Sequence, residues 1–392
     1  MDGVKTVDAL VKKYFLLGFN HNEILQCLVS NNGIVISIRS LRRLLAKMKL
    51  FRRKHYSDIF DVAMFVMEQI EGSGQLYGYK LLHLKCIKNG FVVNQETIRF
   101  LLQIVDQDGV ETRQRNRLQR RNYFGCGPDF TWHVDSYDKL KPYGFCINGC
   151  IDGFSRKIIW LEVYTSNNNP NLIASYYVNA VKCRQGCPKR LRLDRGTENS
   201  SIAQMEMFFR YEDDDDDLTN CVIFGSSNHN QRIESWWGYF RKHCGQYWMN
   251  TFQKLRDEGN FTCDFVDKSI LQFCFMQTIQ DEINEVVEIW NTHRIRPYRI
   301  QISPSGRPNI MYNLPHLYGA QSHLCRVTEE QIAVCESECT PKTDFPCDET
   351  VFELCCFLME EAGYDTHVPQ DTNEKEQLYI FLRDAVRLQL RL

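Results

Sequence analysis

No apolar run in this sequence is long enough to span a bilayer. The opening stretch, MDGVKTVDALVKKYF, lacks the apolar core and cleavage site of a signal peptide and reads instead as an amphipathic helix. Together these absences predict an intracellular chain with no membrane partner. The 17 cysteines include no Cys-x-x-Cys pair, and no His-His-Cys-Cys set has zinc-ligand spacing. Reduced, mostly buried thiols are therefore expected. No internal repeat is visible. Nor is there an excess of one charge, since the formal net charge is −2.

The charge is nonetheless unevenly placed. Residues 1–121 hold 20 lysines and arginines against 11 aspartates and glutamates, whereas residues 321–392 hold 6 against 15. A basic front predicts an anionic partner, and an acidic end predicts a protein partner or a solubilising role. With 392 residues, 43% of them hydrophobic, two to four globular domains are expected.

The front reads as helices. Val7, Leu10, Val11, Tyr14 and Phe15 fall at helical spacing before Gly18, and a second helix fits Asn22–Val29. A third fits Ser37–Lys49, with Ile38, Leu41, Leu44, Leu45 and Met48 as its apolar stripe. The other face of that helix carries Arg39, Arg42, Arg43 and Lys47. Three short helices ending in a basic one suit a helix-turn-helix module on DNA; a small bundle with a solvated basic face is the plainer reading. Three further helices are expected over 57–110. A linker with Arg113, Arg115, Arg117, Arg120 and Arg121 follows, dense enough to pair with successive phosphates or to act as a solvated tether.

From Phe130 the pattern turns to strands. They are expected over Phe130–Tyr137, Tyr143–Ile151, Lys157–Tyr164, Lys189–Asp194 and Asn220–Phe224. Helices are expected from Pro170, from Ser201, and from Asn230 to His243. The order β-β-β-α-β-α-β-α makes an α/β fold, a mixed five-stranded sheet with flanking helices. The acidic run 212–217 reads as a solvated surface loop. Residues 260–300 are helical again, and Pro297, Pro304, Pro308 and Pro315 mark an irregular segment. Two helices, Val351–Glu361 and Lys375–Leu390, close the chain.

Three carboxylates stand out. Asp135 lies on the first strand, Asp194 ends the fourth, and Glu234 begins a helix, positions that can converge at one sheet edge. Such a set can hold two divalent ions, which activate a nucleophile and stabilise a leaving oxygen in phosphodiester chemistry. Arg241, seven residues after Glu234, shares its helix face and is a candidate backbone contact.

The segments WHVDSYDKLKPYGF, IDGFSRKIIW, LRLDRGTENS and GSSNHNQRIESWWGYFRK resemble the catalytic core of retroviral integrases and DDE transposases. Asp194 follows Asp135 by 59 positions and Glu234 follows Asp194 by 40, the latter somewhat longer than is usual there. YGYKLLHLKCIKNGFVVNQETIRFLL resembles the segment before the core in insertion-sequence transposases, and WNTHRIRPYRIQISPSGRPNIMY its closing segment. The resemblance, over about residues 77–312, implies a ribonuclease-H-like fold, catalytic and metal-binding roles for Asp135, Asp194 and Glu234, two Mg²⁺ or Mn²⁺ ions, DNA strand transfer, a homo-oligomer and a nuclear location. Together with the helical and charge patterns, it predicts that the chain divides into a helix-turn-helix-like domain (1–55), a second helical domain with its linker (56–122), the core (123–318) and an acidic helical region (319–392). A helix-turn-helix front stands where many integrases have a zinc module. Two rivals remain: a catalytically silent DNA-binding or scaffolding protein derived from an integrase, and a ribonuclease of the same fold.

For neighbouring residues the alternatives stay open. Asp152 in Asp-Gly-Phe-Ser-Arg is expected to build a hairpin. Glu198 and Asn199 suit either DNA contact or capping of the next helix. His133 reads as structural. His229 and Asn230 either orient Glu234 or cap its helix. Trp236 and Trp237 read as core aromatics.

Overall fold

The structure is a computed structural model, and it describes all residues except 1–5, 73, 75–76, 107–124, 212–219, 226–229, 298–303, 365–367, 370 and 391–392. The arginine-rich linker, the acidic run and His229 lie outside the described residues. The chain forms two compact units, Met1–Pro128 with Glu288–Gln321, and Asp129–Val287 with Ser322–Leu392. Among the described residues, no helix is long and apolar enough to cross a membrane.

The first unit begins with α1 (Val7–Leu16), α2 (His21–Asn32) and α3 (Ile38–Lys47). Their starts follow local chemistry. Thr6 and Ser37 cap by accepting from backbone N–H groups, and Asn20 and Glu23 form a reciprocal capping box. Gly33 ends α2 in the left-handed region at φ 64°, where a β-carbon is disfavoured. Leu10, Val11, Ile24, Leu28, Leu41 and Leu45 form the core, joined by Ile310 and Leu314 around the helical turn Pro308–Asn313. Ile38, expected inside, is exposed. A second core gathers Val62, Val66, Leu82, Cys86, Ile98 and Leu102 from α4 (Ile59–Glu71), α5 (Tyr79–Lys88) and α6 (Gln95–Val105).

The second unit is built on a five-stranded sheet in the order β3-β2-β1-β5-β6. Here β1 is Trp132–Tyr137, β2 Cys146–Asp152, β3 Ile158–Tyr164, β5 Leu191–Leu193 and β6 Val222–Phe224. The β1-β2-β3 meander is antiparallel, while β5 and β6 join β1 in parallel. The second strand starts later than expected because Asp138–Tyr143, with Pro142 inside, winds as a 3-10 turn. Parallel pairing needs crossovers, supplied by α7 (Pro170–Arg184) and α8 (Ser200–Phe209). Pro170 opens α7 and Asn169 caps it. This mixed sheet with its flanking helices is ribonuclease-H-like.

Alternation sends Trp132 and Val134 of β1 to the α7 face, into a core with Trp160, Tyr177 and Ile202. There the Trp132 ring meets Trp160 and Tyr177 edge-on at 6.3 and 6.4 Å, contacts worth roughly 0.5–1.5 kcal/mol each beyond burial. The helix expected over 230–243 is longer and interrupted. α9 (Gln231–Phe240) runs through a π turn at Arg241–Gly245 into α10 (Gln246–Asp257). Phe252 of α10 stacks on Phe145 at 5.2 Å and meets Phe275 of α11 (Phe265–Thr292) edge-on at 5.5 Å.

The acidic end packs into this unit. Cys325–Arg326 (β7) pairs with Gly186–Cys187 (β4), and α12 (Glu329–Ser337) buries Ile332 and Cys335 in the sheet core. Lys342 donates to Glu162 at 2.5 Å and to the Val163 carbonyl at 2.9 Å, so this region covers part of the open edge of β3. Arg383 of α14 (Thr372–Leu390) pairs with the buried Asp267 at 3.0 Å, and Phe352 of α13 (Glu349–Glu361) packs on Phe273. All 17 cysteines are free thiols, most of them buried.

Candidate active site

Asp135 sits in mid-β1, on the face opposite Val134 and directly across from Gly149 of β2. Asp194 comes one residue after β5, where the chain turns away from the sheet. Glu234 stands in the first turn of α9, which packs against β1 and β2. The parallel pairing of β5 to β1 brings Asp194 to the same end of the sheet as Asp135, and the packing of α9 adds Glu234.

The electrostatics register that meeting. Burial pushes the Asp135 carboxyl up to about 7, and the negative charges of Glu234 and Asp194 push the same way. The Trp237 indole N–H, donating to Asp135 Oδ2 at 2.9 Å, pulls against them. Burial also raises Glu234 above the ordinary carboxylate range. A half-buried carboxylate with like charges acting on it, as at Asp135, favours either a proton or a cation beside it.

Two of the three acids, Asp135 and Asp194, have a dedicated support. Trp237 is one helical turn beyond Glu234, so the two share one face of α9, the indole buried and Glu234 exposed. Its ring crosses β2 above Gly149, where a β-carbon would stand 3.1 Å from the indole and 2.5 Å from Leu161 Cδ1. Glycine at this position therefore lets the indole reach Asp135. Asp194 Oδ1 accepts from the Asn199 side chain at 2.5 Å and the Gly196 N–H at 3.2 Å. Asn199 makes no side-chain cap on α8; its amide is turned to Asp194 instead, a role that neither alternative named.

Asn230 does not cap α9 through its side chain either. Its Oδ1 accepts from His133 Nδ1 at 2.7 Å and its Nδ2 donates to the Val134 carbonyl at 2.8 Å. The root of α9 is thereby tied to β1 at His133 and Val134. His133 is fully buried, and burial drives its pKa down to about 3, so it stays neutral and structural. Arg232 adds a bond to the Gly153 carbonyl at 2.8 Å. Asp152 builds the hairpin, accepting from Asp129 N, Ser155 N and Ser155 Oγ at 2.6–2.9 Å.

The remaining candidates are surface cations. Arg39, Arg42, Arg43 and Lys47 are all exposed on α3, with Lys47 3.6 Å from Asp8. Arg241 opens the π turn, bonds Gln246 at 2.9 Å, and lies close enough to act on the buried Tyr137 hydroxyl. Among the described residues, no three His, Cys, Asp or Glu side chains stand close enough to enclose a metal ion. The donor chemistry still fits magnesium, which takes one or two carboxylates and keeps its waters. Asp135, with two like charges acting on it and a pKa near 7, is the carboxylate such a cation would relieve.

Residues 123–305 match the family model of the integrase core domain. With the sheet order and the carboxylate positions above, this part of the chain is an integrase core domain, of the integrase and transposase type. No curated protein matches the chain.

Proposed function

We propose that this chain is a DDE-type integrase or transposase that cleaves DNA and joins the cut strand to a target, with Asp135, Asp194 and Glu234 as its catalytic and metal-binding residues. One observation carries the reading: Asp194, 59 positions on, and Glu234, 99 positions on, both act electrostatically on Asp135 within an integrase core domain. Asp135 and Asp194 would hold two Mg²⁺ or Mn²⁺ ions, with Glu234 closing the set. When bound, such ions neutralise developing phosphorane charge and lower the pKa of the attacking oxygen. Trp237 and Asn199 fix the Asp135 and Asp194 carboxylates, and Asn230 sets the position of α9. Arg241 contacts the DNA backbone beside the site. Arg39, Arg42, Arg43 and Lys47 on α3, in a helix-turn-helix-like domain at 1–55, and the arginines of 113–121 supply further phosphate contacts. The functional division at 55, 122 and 318, a homo-oligomer, a nuclear location and a protein partner for the acidic end belong to the same proposal.

A second reading, a silent scaffolding protein, is favoured by the internal hydrogen bonds that already engage Asp135 and Asp194. Incubation with a labelled DNA end and Mg²⁺ separates the two. Nicking or strand transfer that disappears in Asp194→Asn supports the enzyme. Metal-independent binding without cleavage supports the scaffold, and full activity in Asp194→Asn removes the site assignment.

A further inference from the structure

Within the first unit a cleft of about 970 Å³ opens between the α1–α3 module and the α4–α6 module. Five cations line it, Lys12, Lys49, Arg52, Arg53 and Lys88, against one carboxylate, Glu96. Two of the five have structural roles. Arg52 donates to the Phe15 carbonyl and lies 3.7 Å over the Phe15 ring, and Lys88 pairs with Glu288 at 2.5 Å. Lys12, Lys49 and Arg53 are exposed and have no carboxylate partner among the described residues. Lys49 occupies the left-handed position just after α3, at φ 56°, where glycine is the favoured residue. The N-terminal turn of α6, with its partial positive charge, forms another part of the wall.

We infer that this cleft grips the sugar-phosphate backbone of DNA, a contact separate from the α3 face; the inference rests on the reading that the chain handles DNA. Its three unpartnered cations come from three places, α1, the end of α3 and the segment that follows. That spread suits successive phosphates of a strand, whereas a single phosphate calls for donors converging on one point. Arg39, Arg42 and Arg43 of α3 do not line the cleft, so the two contacts can be altered independently.

The test measures binding of the full chain to a labelled duplex and to its single strand, in EDTA, as a function of salt. Metal-dependent nicking is silent there, so the outcome is independent of the nicking experiment. Neutralising three phosphate contacts in Lys12→Ala/Lys49→Ala/Arg53→Ala lowers the slope of log K against log salt by about 2.7 on duplex DNA. From 50 to 200 mM salt, the native chain then weakens about 40-fold more than the variant. The charge-keeping variant Lys12→Arg/Lys49→Arg/Arg53→Lys retains the native slope and controls for folding. A smaller slope on either probe supports the inference, and the probe affected shows whether duplex or single strand fills the cleft. An unchanged slope on both, or an acidic peptide of equal charge bound as tightly and lost equally, overturns it.

Discussion

Replacing Asp135 by asparagine should stabilise the fold at alkaline pH while removing activity. In the folded chain this carboxyl titrates at about 7, raised by burial and by Glu234 and Asp194, against an ordinary 3.8. A group raised in the folded state contributes stability that is full below the unfolded pKa and is lost as pH climbs through the folded one. The loss therefore runs from about pH 4 to about pH 7. At pH 8 its ceiling is about 4 kcal/mol, at about 1.36 kcal/mol for each tenfold in the proton equilibrium. Asp135 is only half-buried, and solvent screening cuts that to about 2 kcal/mol. Asparagine is neutral at every pH and keeps an oxygen for the Trp237 N–H. In EDTA at pH 8 the variant should melt about 4–8 °C above the native chain, at about 2–4 °C per kcal/mol for domains of this size. At pH 4 the two should coincide. Adding Mg²⁺ at pH 8 should raise the melting point of the native chain and leave that of Asp135→Asn nearly unchanged. A variant that melts at or below the native temperature at pH 8 refutes the claim that burying the Asp135 charge beside like charges costs the fold stability.

Trp237→Phe keeps an aromatic ring but removes the N–H that favours the ionised form of Asp135. The alkaline rise in Mn²⁺ affinity should move up by about one to two pH units, read by calorimetry. Asn199→Ala should weaken Mn²⁺ binding roughly 10–100-fold, since it frees Asp194. Gly149→Ala should cost about 1–3 kcal/mol in denaturant unfolding, because the added methyl meets Leu161 and the indole that spans β2. Asn230→Ala should cost about 2–4 kcal/mol, since it strands the buried His133 N–H and the Val134 carbonyl.

What was legible in the sequence was whatever repeats with a period or sits at a terminus. Ser37 and Pro170 marked helix starts because each acts within its own first turn, whereas the Asn20 cap was missed and α2 begins at His21 rather than Asn22. The five strands showed because alternation on β1 and β3 and the buried runs of β2 and β5 are one-dimensional patterns. The supports of the carboxylates did not show, because each is a contact at long range or between equivalent local alternatives. Trp237 reads as a core aromatic in any helix, and only the packing of α9 on β1 aims its N–H at Asp135, 102 positions away. Asn230 has the composition of an N-cap, yet its amide turns to His133, 97 positions back. The π turn at Arg241–Gly245 also left no trace, since one extra residue per turn has no compositional mark.

The acids and their supports were therefore legible to different degrees for one physical reason. A ligand must present a particular atom, so its residue type and its position at a strand or helix end are constrained, and both can be read. A support need only deliver an N–H to a given point, which tryptophan, asparagine or a backbone amide can each do from any element that reaches it. At Asp135 that donor comes from α9 and at Asp194 from the turn after β5, so each acid is held by a different segment. Removing one support should consequently disturb one acid and leave the other in place. Trp237→Phe and Asn199→Ala combined should then give additive losses in Mn²⁺ binding free energy, within about 0.5 kcal/mol. A coupling well above that would mean that the two carboxylates are positioned as a unit, through contacts other than these bonds.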